Sequence, residues 1–97
     1  MTKVGILATV EAKPGKEQIV ADFLKGALPL AEGEELTITW YAFQINKNTF
    51  GIFDTFDGDE GRDAHLNGPI AAALMANADE LLSKAPVIQK IDLLAVK

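Results

Sequence analysis

The sequence predicts an α+β protein of the ferredoxin-like class, with element order βαββαβ, a four-stranded antiparallel sheet and both helices on one face. Four segments are rich in β-branched and aromatic residues, and two segments between them repeat apolar residues every three or four positions. The second and third of the four are separated only by the residues NKN, which predicts a β-hairpin. The 97 residues therefore form one domain, 1–97, because so short a chain cannot enclose two hydrophobic cores.

The first strand and the first helix are predicted within residues 3–30. KVGILATVEA, residues 3–12, is apolar and β-branched, and it stops at KPGK, where Pro14 suits a first helical turn. From Pro14 to Leu30 apolar residues recur at helical spacing: Ile19, Val20, Phe23, Leu24, Ala27 and Leu28. This spacing predicts the first helix, ending near Pro29.

The hairpin and the second helical region follow a polar loop, AEGEE. The hairpin strands are predicted at 36–45 and 49–56. Asp57 or Asp59 is the predicted N-cap of a helical region that runs to about residue 83, with a break at Gly68-Pro69. VIQKIDLLAV, 87–96, is predicted as the last strand.

Both faces of the predicted sheet are apolar, although two helices can cover only one. In the hairpin, one face carries Leu36, Ile38, Trp40, Ala42, Phe50, Ile52 and Phe56, and the other carries Tyr41, Phe43, Ile45 and Phe53. The simplest cover for the second face is the same face of another copy. We therefore expect a homodimer in which two sheets pack into an α+β barrel.

Composition excludes several classes of function. The formal net charge is −5 and the nine basic residues are scattered, so a nucleic-acid partner is not expected. No apolar run reaches membrane-spanning length, and no membrane partner is expected. The absence of cysteine removes thiolate nucleophiles and Cys-ligated metals and fits a cytoplasmic location, which we expect.

The acidic stretch DTFDGDEGRDAHL, residues 54–66, contains the only histidine of the chain. As a calcium loop it fails, because Phe56 and Gly58, or Gly61 in the other register, stand where oxygen ligands are needed. Most of its acidic side chains would stabilise the N-terminus of the helix that follows, where the helix dipole is positive. No metal ion is assigned, since a metal site needs further ligands with suitable spacing.

Three segments, together covering nearly the whole chain, resemble the antibiotic biosynthesis monooxygenase (ABM) family of dimeric α+β-barrel proteins. They are TVEAKPGKEQIVADFL, FGIFDTFDGDEGRDAHLNGP and ADELLSKAPVIQKIDLLAV. The family signature is an aromatic strand with an acid and then an aromatic residue, followed by Ala-His-Leu; Asp54, Phe56 and residues 64–66 stand in those places. Phe56 replaces a Trp and Ile70 a second His found in many relatives. The haem-degrading branch is disfavoured because Ala8 and Phe56 occupy its Asn and Trp positions.

The resemblance implies oxygenation, without a cofactor, of a quinol- or anthrone-like small aromatic molecule in an apolar pocket between sheet and helices. His65 would assist proton removal, because its unperturbed pKa suits proton transfer near neutrality, and Asp54 would orient it. A three-residue hairpin loop would place Asp54 on the same face as the predicted ring contacts Trp40, Ile52 and Phe56, and Asn67 is a candidate contact for polar substrate atoms.

Structural roles remain open for the same residues. Asp54 could be a buried acid tied to a backbone N–H or to Arg62, and His65 could pack the second helical region on the sheet. Trp40 could be core, and Asn67 an exposed residue near a helix start. The alternative function is a non-catalytic dimeric module that binds a small ligand or serves in interactions.

Overall fold

The computed structural model describes residues 2–97 and contains four strands and four helices. Their order is β1 (Val4–Glu11), α1 (Glu17–Gly26), α2 (Leu28–Glu32), β2 (Thr37–Gln44), β3 (Thr49–Phe56), α3 (Asp59–Leu66), α4 (Pro69–Leu81) and β4 (Val87–Asp92). The strands form one antiparallel sheet in the order β2-β3-β1-β4. This is the predicted ferredoxin-like α+β fold.

The hairpin register puts Asp54 on the face covered by the helices, as predicted. Trp40 lies opposite Asp54 across β2 and β3, and Ile6 lies opposite it across β1 and β3. Side chains on this face are buried, with Phe50, Ile52 and Phe56 no more than 5% exposed. The alternation along β3 therefore directs one acid into an otherwise apolar interior.

A β-bulge at the start of β2 changes the face of one residue. Thr39 pairs with Thr55, but Thr37 pairs with Phe56, so the register shifts between Thr37 and Thr39. An extra residue in one strand turns the next side chain to the other face. Thr37 consequently lies on the same side of the sheet as Phe56, beside the loop that precedes β2.

The first predicted helix differs from the structure at both ends. Pro14 lies in a turn with Gly15, whose φ of 86° belongs to the left-handed region, and the helix begins only after Lys16. The segment to residue 32 is two helices, because Pro29, which has no N–H to donate, occupies the first turn of α2. The predicted single helix over 14–30 is therefore wrong in its boundaries.

The second helical region is broken at Gly68-Pro69, as predicted, but its predicted side-chain cap is wrong. Gly58 is the N-cap of α3, and Asp59 and Glu60 lie in the first turn, where their charges favour the helix N-terminus. The last strand ends at Asp92 instead of Val96. Asp92 pairs with Val4, the first residue of β1, and Leu93 adds one backbone hydrogen bond, to the carbonyl of Lys3.

The sheet face opposite the helices is apolar and only partly covered. Leu7, Phe43, Phe53 and Ile91 are partly exposed there, and Tyr41 is 57% exposed. Within residues 2–97, no helix is long and apolar enough to span a membrane.

Candidate functional site

His65 lies between two carboxylates from different parts of the chain. Its Nδ1 atom is 2.7 Å from Oε1 of Glu34, and its Nε2 atom is 2.8 Å from Oδ2 of Asp54. The three side chains are 16% (Glu34), 7% (His65) and 0% (Asp54) exposed. We refer to them as the Asp54–His65–Glu34 triad.

Three elements bring the triad together. Asp54 points inward from β3, and His65 lies on the buried side of the last turn of α3. Glu34 lies in the short loop between α2 and β2, where its Oε1 also accepts a hydrogen bond of 2.8 Å from the hydroxyl of Thr37. The bulge that turns Thr37 toward the helices therefore also helps to hold Glu34 beside His65.

The surroundings of His65 favour its charged form. Burial of the ring is the largest single influence and lowers the pKa, but the Asp54 and Glu34 carboxylates together outweigh it and raise the pKa of His65 from 6.5 to about 8. A charged imidazolium carries hydrogen on both ring nitrogens, so it can face one carboxylate on each side. Near neutral pH the ring of His65 is thus an imidazolium held between the side chains of Asp54 and Glu34.

The two contacts of His65 differ in geometry. The contact with Glu34 is a hydrogen bond, whereas neither Asp54 oxygen has an aligned donor among residues 2–97, so the contact with Asp54 is a close charge pair. Phe56 packs beside the ring, with centroids 5.6 Å apart and planes at 44°. This apolar contact limits hydration of the pair, which strengthens the attraction between the charges.

One structural alternative paired Asp54 with Arg62. In the structure Arg62 instead contacts Asp59 and two backbone carbonyls. Its guanidinium donates to Asp59 at 2.6 Å and to the carbonyl of Ile91 at 3.3 Å. A longer contact of 3.5 Å reaches the carbonyl of Gly5. Arg62 therefore ties α3 to the strands β1 and β4.

Two clefts flank Glu34 and Thr37. The larger, of about 410 Å³, is also lined by Trp40 and by Leu28, Ala31, Glu32, Ile38 and Thr39. The smaller, of about 270 Å³, is also lined by His65 and by Glu35, Leu36, Gly61, Ala64, Gly68 and Pro69. Glu34 thus borders both spaces, and His65 borders the smaller one.

The predicted site residues separate into three groups: the residues at His65, the apolar residues around Trp40, and Asn67. His65 and Asp54 contact each other, with Phe56 against the His65 ring. Trp40 lines the larger cleft, and its Nε1 atom is buried without an acceptor among the described residues. Ile52 is buried in the core cluster against which Trp40 packs.

Asn67 is the C-cap residue of α3. It is exposed, and its side-chain amide donates to the carbonyl of Asp63 at 2.9 Å. Its predicted contact with substrate stays a prediction.

Glu34 is the functional candidate that sequence reasoning missed. It belongs to the segment AEGEE, where three acids lie within four positions and none is distinguished by spacing. Across residues 2–97 no group of three or more His, Asp or Glu side chains is arranged to hold a metal ion.

Comparison with solved structures first identifies the class of fold. A candidate antibiotic biosynthesis monooxygenase from Nitrosomonas europaea superposes with a TM-score of 0.84 at 8% sequence identity, over 95% of this chain and 99% of that chain. One from Chloroflexus aurantiacus superposes with a TM-score of 0.74 at 15% identity, over 98% and 96% of the two chains. The protein therefore has the ABM fold that the sequence resemblance predicted.

A much nearer relative gives the family. The NE2512 protein of Nitrosomonas europaea, of unknown function, is 56% identical, with a TM-score of 0.98 over 100% of this chain and 94% of that chain. The protein belongs to the same family as NE2512. No model of a known protein family and no curated protein matches the sequence.

Proposed function

We propose that the protein is a cofactor-independent monooxygenase that acts on a small quinol- or anthrone-like aromatic molecule. The observation that carries the proposal is the Asp54–His65–Glu34 triad, a buried group of ionisable side chains that borders a cleft in an ABM fold. Ionisable groups perturbed by burial and by charged neighbours are concentrated at functional sites. The absence of cysteine is consistent with a cytoplasmic location, which we propose for the protein.

The chemistry needs a proton acceptor and a stabilised anion. An anthrone loses a proton from its ring CH₂ group to the carboxylate of Glu34, which lines the cleft beside His65, and the resulting carbanion transfers electrons to O₂ and forms a C–O bond. The peroxide oxygen then takes this proton back from Glu34 to give a hydroperoxide. The hydroperoxide then loses water to leave a carbonyl, so R₂CH₂ and O₂ give R₂C=O and H₂O. His65 assists the first step, because an imidazolium beside the site stabilises the anion electrostatically. Asp54 orients the ring and maintains its charge.

Oxygen uptake with a panel of quinols and anthrones tests this proposal. We expect His65→Ala to lower kcat/KM by about 10²-fold, the lower end of what a group assisting proton transfer contributes. Asp63→Asn is the matched control, because Asp63 is exposed on the same helix. Equal turnover by wild type and His65→Ala, or no turnover by either, contradicts the catalytic role.

We also propose that the protein is a homodimer, formed through the open face of the sheet. That face carries Tyr41, Phe43 and Phe53 without helices to cover them. Contiguous apolar surface of this kind marks an interaction site, and a self-complementary pairing is the commonest solution.

A charge on the open sheet face should separate the dimer. Light scattering at micromolar concentration is expected to give about twice the 10.4 kDa chain mass for wild type. Tyr41→Lys should shift the mass to that of the monomer, because it places two like charges in a desolvated interface. Ile19→Lys is the control, since Ile19 is similarly exposed but lies on α1, on the other side of the sheet. A monomeric wild type contradicts the dimer.

A non-catalytic module that binds a small ligand is the second candidate. It is favoured by the engagement of both ring nitrogens of His65 with carboxylates, which leaves neither free to accept a substrate proton directly. Saturable binding of aromatic ligands by wild type, without oxygen uptake by any of them, would select this candidate.

A further inference from the structure

We propose that the ligand of this site is an uncharged hydroxylated aromatic molecule that occupies the smaller cleft and donates its hydroxyl hydrogen to Oε2 of Glu34. The inference rests on the proposed function for the presence of a ligand at the triad. It adds the cleft that the ligand occupies, the atom that it contacts and the chemical group by which it is selected.

Glu34 Oε2 is the oxygen of the triad that lacks a hydrogen-bond donor and also belongs to a residue lining the smaller cleft. Both ring nitrogens of His65 are occupied, and Oε1 of Glu34 is held by His65 and by Thr37. Oε2 is buried and has no donor among residues 2–97. A buried carboxylate oxygen without a donor is unfavourable, and a hydroxyl group supplied by a ligand would satisfy it.

The position of Gly68 indicates that this oxygen lies next to the smaller cleft. A β-carbon added to Gly68, which lines that cleft, would lie 3.3 Å from Oε2. His65 lines the same cleft, whereas the larger one has Trp40 in its lining and neither His65 nor Asp54. Oε2 and the imidazolium that balances its charge therefore border the same space.

Gly68 leaves space next to this buried oxygen because it has no side chain. Its φ is −91°, which any residue adopts, so backbone conformation does not require glycine. A β-carbon would, however, also lie 3.2 Å from the carbonyl oxygens of Ala64 and His65. Any larger residue would crowd the part of the cleft next to Oε2, so the absence of a side chain at Gly68 leaves room for a ligand there.

The lining of the smaller cleft selects against ligands that are already anions when they bind. Glu34 and Glu35 contribute two carboxylates against one imidazolium, and Asp54 adds a third behind it. A carboxylate ligand would be repelled. Leu36, Ala64 and Pro69 provide apolar contacts for a ring, and the volume of about 270 Å³ suits the smaller members of the proposed substrate class, quinols of one or two fused rings, better than three-ring anthrones.

Ligand selection by wild type is the first test. The protein is titrated under nitrogen with 1-naphthol, 1-methoxynaphthalene and 1-naphthoate, by calorimetry and by the NMR ring signals of its single histidine. We expect 1-naphthol to bind about tenfold more tightly than its methyl ether, which has no hydrogen to donate, and 1-naphthoate to bind most weakly. Equal affinity for the first two, or no binding of 1-naphthol at millimolar concentration, overturns the inference.

Variants of the cleft give the second test. Glu34→Gln should abolish the preference for naphthol over its ether. The amide oxygen would stay with His65 and Thr37, and the NH₂ group, which only donates, would take the place of Oε2. Glu35→Gln should retain the preference. Gly68→Ala should weaken naphthol binding about tenfold. Gly58→Ala is its control, since a β-carbon there meets nothing within 4 Å.

Leu28→Ala separates the two clefts. The ligand should bind this variant as it binds wild type, since Leu28 lines only the larger cleft of the two. Weaker binding in Leu28→Ala with unchanged binding in Gly68→Ala would place the ligand in the larger cleft and overturn the inference, while leaving the proposed function intact. Conversely, the expected binding pattern without oxygen uptake by wild type would overturn the proposed monooxygenase and leave the inference standing.

Discussion

Replacing Asp54 by Asn is expected to lower the free energy of unfolding at pH 6 by about 3–5 kcal/mol, the usual cost of removing one partner from a buried ion pair. Asp54 is fully buried and lies 2.8 Å from His65. Without its charge the imidazolium keeps only Glu34 as a counter-ion, and the cost of burying the ring is no longer offset. Urea unfolding at fixed protein concentration, followed by the fluorescence of the single Trp, measures the loss.

Asp59→Asn is the matched control, because it removes the same charge from an exposed pair. Asp59 contacts Arg62 at 2.6 Å but is 76% exposed, so solvent screens the interaction. We expect a loss below about 1 kcal/mol. Similar losses in the two variants would mean that burial contributes little to the His65 pair.

The pH dependence of stability identifies His65 as the origin of the effect. The pKa of His65 is raised by its carboxylate neighbours from 6.5 to about 8, so the folded state holds the proton more tightly than the unfolded state. The resulting stabilisation, about 2 kcal/mol, is fully present below pH 6.5 and is lost as pH rises through about 8. Asp54→Asn should remove most of this fall in the free energy of unfolding. A wild-type free energy of unfolding that does not fall between pH 6.5 and 9 contradicts the assignment of the effect to His65.

Replacing Phe56 by Ala is expected to cost about 3–5 kcal/mol of unfolding free energy, since it leaves a cavity in the interior. Phe56 is 0% exposed and packs between the sheet and the ring of His65. The cavity would also admit water beside the triad, weakening the charge contacts there.

Phe56→Leu is the matched variant, because it retains most of the buried apolar volume, and we expect a loss within about 1.5 kcal/mol. The same urea titration measures both variants. A loss below about 1 kcal/mol for Phe56→Ala would contradict the packing of Phe56 against His65.

The strands and the face on which Asp54 lies could be predicted from the sequence because both depend on local repetition. Side chains alternate along β3, so once the hairpin register is assigned, Asp54, Phe56 and Trp40 must share a face. The break at Gly68-Pro69 is also local, since both residues interrupt a helix. The division of the first helix and the early end of β4 were missed, because the first depends on which turn Pro29 enters and the second on where β1 offers a partner.

The sequence by itself determined the fold class, the buried acid on β3 and the single histidine that follows it on α3. Tertiary structure alone decided that Glu34 completes the triad. Glu34 and His65 are 31 positions apart, and Glu34 approaches the ring only through a polar loop that follows α2 and precedes a bulge. No periodic pattern marks such a loop, because its path depends on the packing of the elements at its two ends. For the same reason the charge state of His65 could not be deduced from composition, since burial and two carboxylates act on it with opposite signs.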